Sequence, residues 1–362
     1  MKVLQILPEL NSGGVERGTL ELAGYLVERG HESVVISNGG RMVSSLESNG
    51  SRHIRMPVHQ KSPKALLQVR TLRRVLTEER PSILHVRSRL PAWISYLAWK
   101  KMPRDLQPFL ISTVHGFNSV NAYSRIMTMA QRVIAVSDSI KQHVLQNYPH
   151  CPRESIHVIP RGVDPAVYHP GHEPDAHWRS KWREDFPQLQ GRKLVTLPGR
   201  ITRLKGHEDF FGIMKKLPAE FHGVVAGGVH PRKQSYMRDL ENQLSGTNLG
   251  RRVTFIGQRS DMREVLAESS IVVSLSQNPE SFGRTTLEAL SLGTPVIGYD
   301  HGGVGEILRS CFPEGRVPTG NLNRVAQLVQ DFAQKTPPIQ APGKFTLAHM
   351  LSSTLSLYLD AV

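Results

Sequence analysis

The chain has 362 residues, 39% of them hydrophobic and 6% aromatic, and a formal net charge of +14. Its length exceeds the usual limit of one hydrophobic core, so two domains are expected. No apolar run approaches the roughly 18 residues of a membrane span, no secretory signal opens the sequence, and only two cysteines, Cys151 and Cys311, occur. These features favour a cytoplasmic protein over a membrane-spanning or disulfide-rich secreted one.

The positive charge is concentrated in the first half of the chain. Residues 1–170 carry 22 Lys and Arg against 12 Asp and Glu, whereas residues 171–362 carry 23 against 19. A basic surface of this kind suits nucleic acid, an anionic membrane surface or an anionic substrate. Nucleic acid ranks lowest and is not expected as a partner, because no zinc-finger or RNP motif accompanies the charge.

Strand-like and helical patterns alternate from the first residue onward. A strand over 3–7, a helix over 15–28 and a strand over 33–37 predict a βαβ opening. Further strands are predicted over 83–86, 109–114, 133–136 and 156–159, and further helices over 65–79, 92–102 and 139–148. Residues 1–164 are therefore predicted to form one doubly wound, Rossmann-like domain.

Residues 165–190 are polar and interrupted by proline, which predicts an irregular interdomain connection. A second alternating series fills residues 191–343, with strands predicted over 194–197, 223–226, 253–256, 271–275 and 295–298. It predicts a second doubly wound α/β domain. Residues 344–362, with a helix over 345–359, can belong to either domain, and packing back on the first is one of the arrangements open to them.

Two carboxylates, Glu280 and Glu288, are eight positions apart: Glu280 lies on the loop after the predicted strand 271–276, and Glu288 lies about one turn inside a helix predicted over 285–292. The start of such a helix directs free N–H groups and the positive end of its dipole toward the crevice above the strands, which suits a phosphate. The two carboxylates could then accept hydrogen bonds from hydroxyls flanking a diphosphate. The spacing alone fits a solvated loop Glu and an ordinary surface-helix Glu equally well.

Two cations, Arg200 and Lys205, follow the first predicted strand of the second domain. Fixed there, they would neutralise a diphosphate, although a solvated basic loop is the alternative. No Asp-x-Asp and no His/Cys cluster with metal-ligand spacing occurs, so no metal site and no cofactor are predicted. The two cations and the helix start near Gly283 and Arg284 are then the available partners for a leaving diphosphate.

In the first domain, Gly13-Gly14-x-Glu16 follows the first predicted strand, and His115 ends another. The glycine loop lacks the G-x-G-x-x-G spacing of a dinucleotide site, so a simple tight turn is an alternative. His115 is expected to face a cleft between the domains; a histidine merely hydrogen-bonded at a strand end is the alternative.

Several motifs, spread over nearly the whole chain, resemble those of glycosyltransferase family 4 and follow one another in the same order as in that family. They are Ser12-Gly13-Gly14-x-Glu16, His115-Gly116, the segment 158–164, Gly199-Arg200 through Lys205-Gly206, Glu280-x7-Glu288 and Gly302-Gly303-x2-Glu306. The resemblance implies the GT-B fold, with two Rossmann-like domains facing across a cleft. It also implies retaining transfer of a sugar from a nucleotide diphosphate donor. Arg161 departs from the family, which often has Asn there.

The resemblance also implies roles for individual residues. In the second domain, Arg200 and Lys205 would bind the donor diphosphate, Glu280 the transferred sugar and Glu288 the ribose, beside the backbone amides of Phe282, Gly283 and Arg284. In the first domain, His115 would contact the sugar, Gly14 would approach the phosphates, and the loop with Gly13 and Glu16 would lie near the acceptor. His115 and Glu280 are thus the catalytic candidates.

The segments 37–40, 85–89 and 299–303 resemble proteobacterial members that act in lipopolysaccharide core assembly. That narrower resemblance implies a phosphorylated glycolipid or oligosaccharide acceptor and peripheral association with the anionic inner membrane surface. Arg70, Arg73 and Arg74, followed by Trp93, Tyr96, Trp99, Lys100 and Lys101, mix cations and aromatics as an interfacial surface does. An amphipathic helix with its aromatics in the core is the alternative.

The leading hypothesis is therefore a hexosyltransferase that uses a nucleotide diphosphate sugar, with a UDP-sugar favoured and the choice between uracil and guanine left open. A nucleotide-sugar epimerase of the GT-B fold is one alternative, against which Glu280-x7-Glu288 argues. A non-enzymatic basic protein that binds nucleic acid or membrane is another, against which two complete doubly wound domains argue. The sugar and the acceptor hydroxyl are left open.

Overall fold

The computed structural model of the chain describes residues 1–11, 13–60, 65, 67–229 and 234–362. Ser12, which belongs to a predicted motif, and Leu66, which belongs to the predicted helix 65–79, lie outside the described residues. The chain forms two compact units, the first made of Met1–Pro160 with Ala348–Val362 and the second of Arg161–Leu347. None of the helices in the described part has the length and apolar character needed to cross a bilayer.

The first unit is built on a parallel sheet of seven strands among the described residues. They are β1 (Lys2–Ile6), β2 (Glu32–Ser37), β3 (Arg52–Arg55), β4 (Ile83–Val86), β5 (Phe109–Val114), β6 (Arg132–Ala135) and β7 (Ile156–Val158). Their order in the sheet is β3-β2-β1-β4-β5-β6-β7, with Val3 of β1 opposite both Ser33 and Ile83. The inner strands are almost continuously apolar and buried, as expected for a sheet covered on both faces.

The described helices of the first half are α1 (Gly14–Glu28), α2 (Val43–Ser48), α3 (Leu67–Glu79), α4 (Arg89–Trp99) and α5 (Asp138–Asn147). Each connects two strands of the same parallel sheet or precedes the next one, as a doubly wound fold requires. The strand order reverses between β1 and β4, so the loops that follow these two strands flank a crevice at the carboxyl edge of the sheet.

The second unit has a parallel sheet in the order β10-β9-β8-β11-β12-β13. Its described strands are β8 (Lys193–Pro198), β9 (Phe221–Ala226), β10 (Val253–Gly257), β11 (Ile271–Ser274), β12 (Val296–Tyr299) and β13 (Arg316–Val317). Its described helices are α6 (Ala176–Asp185), α7 (His207–Lys216), α8 (Gln234–Leu244), α9 (Met262–Glu268), α10 (Arg284–Ser291), α11 (Gly302–Cys311) and α12 (Leu322–Gln334), and the chain then continues into α13 (Leu347–Leu359), which belongs to the first unit from Ala348 onward. The order reverses between β8 and β11.

The two doubly wound α/β sheets predicted from the sequence are confirmed, with one clear error inside residues 165–190. That segment is not irregular throughout, because it contains the ten-residue helix α6. Asp175 begins α6 by accepting a hydrogen bond from the amide of Trp178 at 2.8 Å. Trp178 and Trp182, four residues apart, stack at 5.0 Å, and Trp182 joins a cluster with Leu194 of β8. The prolines frame this helix rather than break it.

The last helix, α13, packs in the first unit although the chain reaches it from the second. Tyr358 is fully buried, and its hydroxyl lies 2.5 Å from Nδ1 of His85 on β4. Arg132 of β6 donates hydrogen bonds to the backbone carbonyls of Leu357 and Asp360, both at 2.9 Å. These contacts give the end of α13 a cationic cap, which suits the negative end of a helix dipole.

The Tyr358→Phe variant should lower the free energy of unfolding by about 1–3 kcal/mol, because it leaves a buried imidazole nitrogen of His85 without this partner. Urea denaturation of the full chain measures the change. Tyr25→Phe is the matched control, because the Tyr25 hydroxyl is half-buried and has no hydrogen-bond partner in the described part of the chain. Equal stability of the two variants would show that the His85–Tyr358 contact does not hold α13 in place.

Candidate functional site

The sequence-predicted residues of the second unit meet where its sheet reverses order, between β8 and β11. The loop after β8 carries Arg200 and Lys205 and leads into α7, and the loop after β11 carries Glu280 and leads into α10. Because both strands are parallel and neighbouring, their loops emerge side by side at the carboxyl edge. Open α/β sheets bind ligands in the crevice at this edge.

An ion pair joins the two loops. Lys205 Nζ lies 2.7 Å from Glu280 Oε1, and the Ser276 hydroxyl donates to the same oxygen. The Lys205 and Glu280 side chains are 26% and 25% exposed, so solvent reaches both. Glu280 Oε2 has no hydrogen-bond partner within the described residues. Burial raises the pKa of Glu280, but the Lys205 charge and the hydrogen bonds from Lys205 and Ser276 outweigh it and leave the pKa below its ordinary value.

Two glycines set the position of Lys205. Gly199 has φ +137°, and a methyl group there would lie 3.0 Å from the Lys205 side chain. Gly206 has φ +73°, and a methyl group there would lie 2.1 Å from the Leu275 carbonyl oxygen. Both conformations strain any residue with a Cβ. The glycines therefore let the loop turn tightly and bring Lys205 against the end of β11.

A second ion pair lies at the start of α10. Gly283, with φ +93°, precedes the helix, and Arg284 Nε donates to Glu288 Oε1 at 3.0 Å. The Glu288 side chain is 9% exposed, so the alternative of an ordinary surface-helix Glu is wrong. Buried carboxylates in proteins are paired, as this one is. The Phe282 side chain turns into the core, against Phe345.

The start of α11 supports the loop that carries Glu280. The Gly303 amide donates to the Glu280 carbonyl at 2.7 Å. A methyl group on Gly302 would lie 2.5 Å from that carbonyl oxygen, and one on Gly303 would lie 2.3 Å from Phe282 Cα. The Gly302-Gly303 pair is therefore required by close backbone packing.

Arg200 differs from its neighbours in this site. Its side chain is exposed, and it makes no hydrogen bond or ion pair with the residues that the structure describes. The site thus contains two cations paired with carboxylates, Lys205 and Arg284, and one, Arg200, without a side-chain partner in the described part of the chain.

The first unit brings Glu16 and His115 together at its own reversal point, between β1 and β4. Both line a cavity of about 230 Å³ together with Pro8, Val15, Arg87, Ser88, Arg89, Thr113, Gly116, Asn118 and Met127. Gly14 begins α1 beside it, and a methyl group on Gly14 would meet no atom within 4 Å. Gly13, at φ +142°, precedes the helix. The predicted residues of this unit therefore converge on one cavity.

Two cations of this cavity, Arg87 and Arg89, had no role in the sequence predictions. Arg87 directly follows β4 and is 3% exposed, and its Nη1 donates to Gln5 Oε1 at 2.5 Å. Burial lowers the Arg87 pKa to about 10. Arg89 Nη1 donates to the Ser124 hydroxyl at 3.1 Å. The sequence did offer a signal for Arg87: it is a cation directly after a buried parallel strand, and that position lies at the carboxyl edge of the sheet.

The predicted interfacial surface retains its arginines but not its aromatic residues. The indole N–H groups of Trp93 and Trp99 donate to the carbonyls of Tyr123 and Pro108 at 2.9 and 2.8 Å, and both rings pack against the core. Arg70 and Arg74 on α3 are exposed. The aromatic residues of this pattern are therefore structural. Within the described ranges, no group of three or more His, Cys, Asp or Glu side chains is arranged to hold a metal.

Comparison with known proteins matches each half of the chain to a family model. Residues 12–167 match the family model Glycosyltransferase Family 4, and residues 179–336 match Glycosyl transferases group 1. N-acetyl-alpha-D-glucosaminyl L-malate synthase of Bacillus anthracis is 25% identical, over 90% of this chain and 86% of its own. Lipopolysaccharide core biosynthesis mannosyltransferase LpcC of Rhizobium leguminosarum bv. viciae is 30% identical, over 52% of this chain and 50% of its own. The chain thus spans only about half the length of some curated relatives.

Solved structures of similar proteins share the whole fold. A glycosyltransferase from Rickettsia africae ESF-5 superposes with a TM-score of 0.86 and 29% identity, over 99% of this chain and 98% of that one. Alr3699/HepE from Anabaena, solved in complex with UDP and glucose, has a TM-score of 0.82 and 20% identity over the full length of both chains. The GT-B fold expected from the sequence is thereby confirmed. This chain is a glycosyltransferase of the GT-B fold that joins a Glycosyltransferase Family 4 domain to a glycosyl transferases group 1 domain.

Proposed function

We propose that the chain is a retaining hexosyltransferase that moves a sugar from a UDP-sugar to a lipid-linked or oligosaccharide acceptor of the lipopolysaccharide core. The observation that carries the proposal is the state of Glu280. One oxygen is held by Lys205 and Ser276, and the other has no hydrogen-bond partner among the residues that the structure describes. A carboxylate that is ionised, oriented and half unsatisfied is suited to accept hydrogen bonds from sugar hydroxyls.

The diphosphate of the donor would be bound by Lys205 and Arg200. An ammonium group has three N–H donors, and Glu280 occupies one on Lys205, so others remain for phosphate oxygens. Arg200 has no competing partner in the described chain and can offer its guanidinium to two oxygens. The amides of Phe282, Gly283 and Arg284 at the start of α10 would add the positive end of a helix dipole.

The ribose would be bound by Glu288. Arg284 holds one oxygen of this carboxylate from the preceding turn of α10 and orients it in a buried position. A buried, oriented carboxylate is suited to accept hydrogen bonds from the ribose hydroxyls, which lie on the nucleoside side of the diphosphate.

In the first unit, His115 would contact the transferred sugar, Gly14 would approach the phosphates, and Gly13 and Glu16 would lie near the acceptor. In the reaction, an acceptor hydroxyl oxygen forms a bond to the anomeric carbon on the face from which the diphosphate departs. The bond from that carbon to the phosphate oxygen breaks, and the hydroxyl proton passes to the departing phosphate. Arg200 and Lys205 would stabilise the growing negative charge, without a metal ion.

Two comparisons support the choice of substrates. HepE, which shares the fold, was solved with UDP and glucose, which favours a UDP-sugar as donor. LpcC is named as a lipopolysaccharide core mannosyltransferase, which favours a core acceptor and work at the cytoplasmic face of the inner membrane. The exposed arginines of α3 would serve peripheral association with anionic lipid.

A thermal-shift screen over nucleotide sugars tests the choice of donor. UDP and one UDP-hexose should raise the melting temperature at ligand concentrations well above their Kd, because both occupy the folded protein only. GDP and GDP-mannose should give a smaller rise at the same concentrations. A larger rise with the guanine nucleotides would contradict the UDP assignment while leaving the sugar-transferase activity intact.

The Glu280→Gln variant should reduce kcat by about 100-fold or more, because the amide removes a charge that faces the sugar, without weakening UDP binding, because it also releases Lys205 from its carboxylate partner. Initial rates with the stabilising donor and calorimetry with UDP measure the two quantities. Glu314→Gln, at an exposed position of the same unit, is the control and should match the wild type. A folded Glu280→Gln enzyme with normal turnover would exclude Glu280 from the site.

Lys205→Ala and Glu288→Gln should separate the two ends of the nucleotide diphosphate. Lys205→Ala should weaken binding of both UDP and pyrophosphate by roughly tenfold, because both contain the diphosphate. Glu288→Gln should weaken UDP by a similar factor and leave pyrophosphate unchanged. Calorimetry with both ligands measures this, with Lys216→Ala on the exposed side of α7 as the control. Unchanged UDP affinity in both folded variants would show that the donor binds elsewhere.

A further inference from the structure

The cavity at the β1/β4 reversal point contains a buried positive charge whose direct polar contacts in the described structure are all neutral. Arg87 is 3% exposed, and its polar contacts in the described structure are neutral: Nη1 donates to the Gln5 amide oxygen, and Nε has no partner. Gln5 is fully buried and is itself held through its amide nitrogen by the Thr19 carbonyl at 3.3 Å. A buried guanidinium with only neutral partners is costly, because it has lost water without gaining a counter-ion.

A second cation lines the same cavity. Arg89 donates to the Ser124 hydroxyl, and its guanidinium lies over the Tyr123 ring at 5.4 Å. Both partners are neutral, so its charge also remains uncompensated. Glu16 is the one carboxylate among the lining residues, and Glu21 in the next turn of α1 is already paired with Arg17 at 3.0 Å. Two guanidinium groups therefore face one carboxylate.

The start of α4 adds to the positive potential. Arg89 is its first residue, and the preceding Ser88 lines the cavity while its side chain makes no capping hydrogen bond to the helix. The eleven-residue helix α4 thus directs the positive end of its dipole at the cavity that Arg87 lines. Two guanidinium groups and a helix start suit the several oxygens of a phosphate better than a single carboxylate.

We infer that the cavity between the loops after β1 and β4 binds a phosphate group of the sugar acceptor, with Arg87 and Arg89 as its cationic partners. The donor diphosphate already has Arg200 and Lys205, so a phosphate here belongs to the other substrate. This assignment to the acceptor rests on the proposed function, whereas phosphate binding itself does not. The excess of basic residues in the first half of the chain agrees with an anionic acceptor.

The test measures the melting temperature of the full chain against added inorganic phosphate, with potassium chloride keeping the ionic strength constant. The protein is saturated with UDP, so that donor phosphate sites are filled. The wild type should be stabilised, and the apparent Kd of phosphate should rise roughly tenfold or more in Arg87→Met and in Arg89→Gln. Arg153→Gln, which removes an exposed arginine of the same unit, should keep the wild-type Kd.

Three results would overturn the inference: no stabilisation of the wild type by phosphate, wild-type affinity in both cavity variants, or acetate binding as tightly as phosphate. Loss of phosphate binding on addition of UDP would assign the cavity to the donor and would overturn it as well. Arg89→Gln keeps the test decisive if Arg87→Met does not fold, because the Arg89 side chain is only partly buried. Failure of UDP to bind at all would contradict the proposed function, and the phosphate titration without UDP would still test the cavity.

Discussion

The ion pair between Lys205 and Glu280 is the interaction on which the second unit's site depends. It joins the loops after β8 and β11, the two strands between which the sheet reverses its order. Its position is fixed by glycines on either side, because Gly206 allows Lys205 to lie against β11 and Gly303 allows the Glu280 loop to lie against α11. Since both side chains remain about a quarter exposed, the pair adds little to stability but holds two opposite charges in a defined geometry.

The first unit uses the same topology with a different electrostatic arrangement. At its reversal point the buried cation, Arg87, is held by the amide of Gln5 and not by a carboxylate. The second unit thus pairs Lys205 with a carboxylate, whereas in the described structure the direct polar contacts of the buried Arg87 in the first unit are neutral. A buried charge without a paired carboxylate lowers the stability of the free protein and increases the stabilisation that a bound anion provides.

Periodicity located most strands, but it missed two edge strands and the helix in the connection. The sequence prediction omitted β3 and β13, because edge strands are short and carry charged residues such as Arg52 and Arg316 that blur the apolar pattern. Helix α6 was hidden by the prolines around it and by a polar sequence in which two tryptophans, Trp178 and Trp182, provide the buried face. The apolar pattern of the local sequence carries little information about such elements, because the residues that they pack against are distant in sequence.

The sequence by itself determined the class of the protein. Alternating strand and helix patterns specified two doubly wound sheets, and the order of the motifs from Gly13 to Glu306 specified the sugar transferases. Only the tertiary structure decided that Glu288 is buried, that Lys205 and Ser276 bind one oxygen of Glu280, and that the direct polar contacts of Arg87 in the described structure are neutral. It also decided that Tyr358 belongs beside His85, 273 residues away. The physical reason is that strand and helix periods are local, whereas burial and charge pairing depend on which chain segments meet in space.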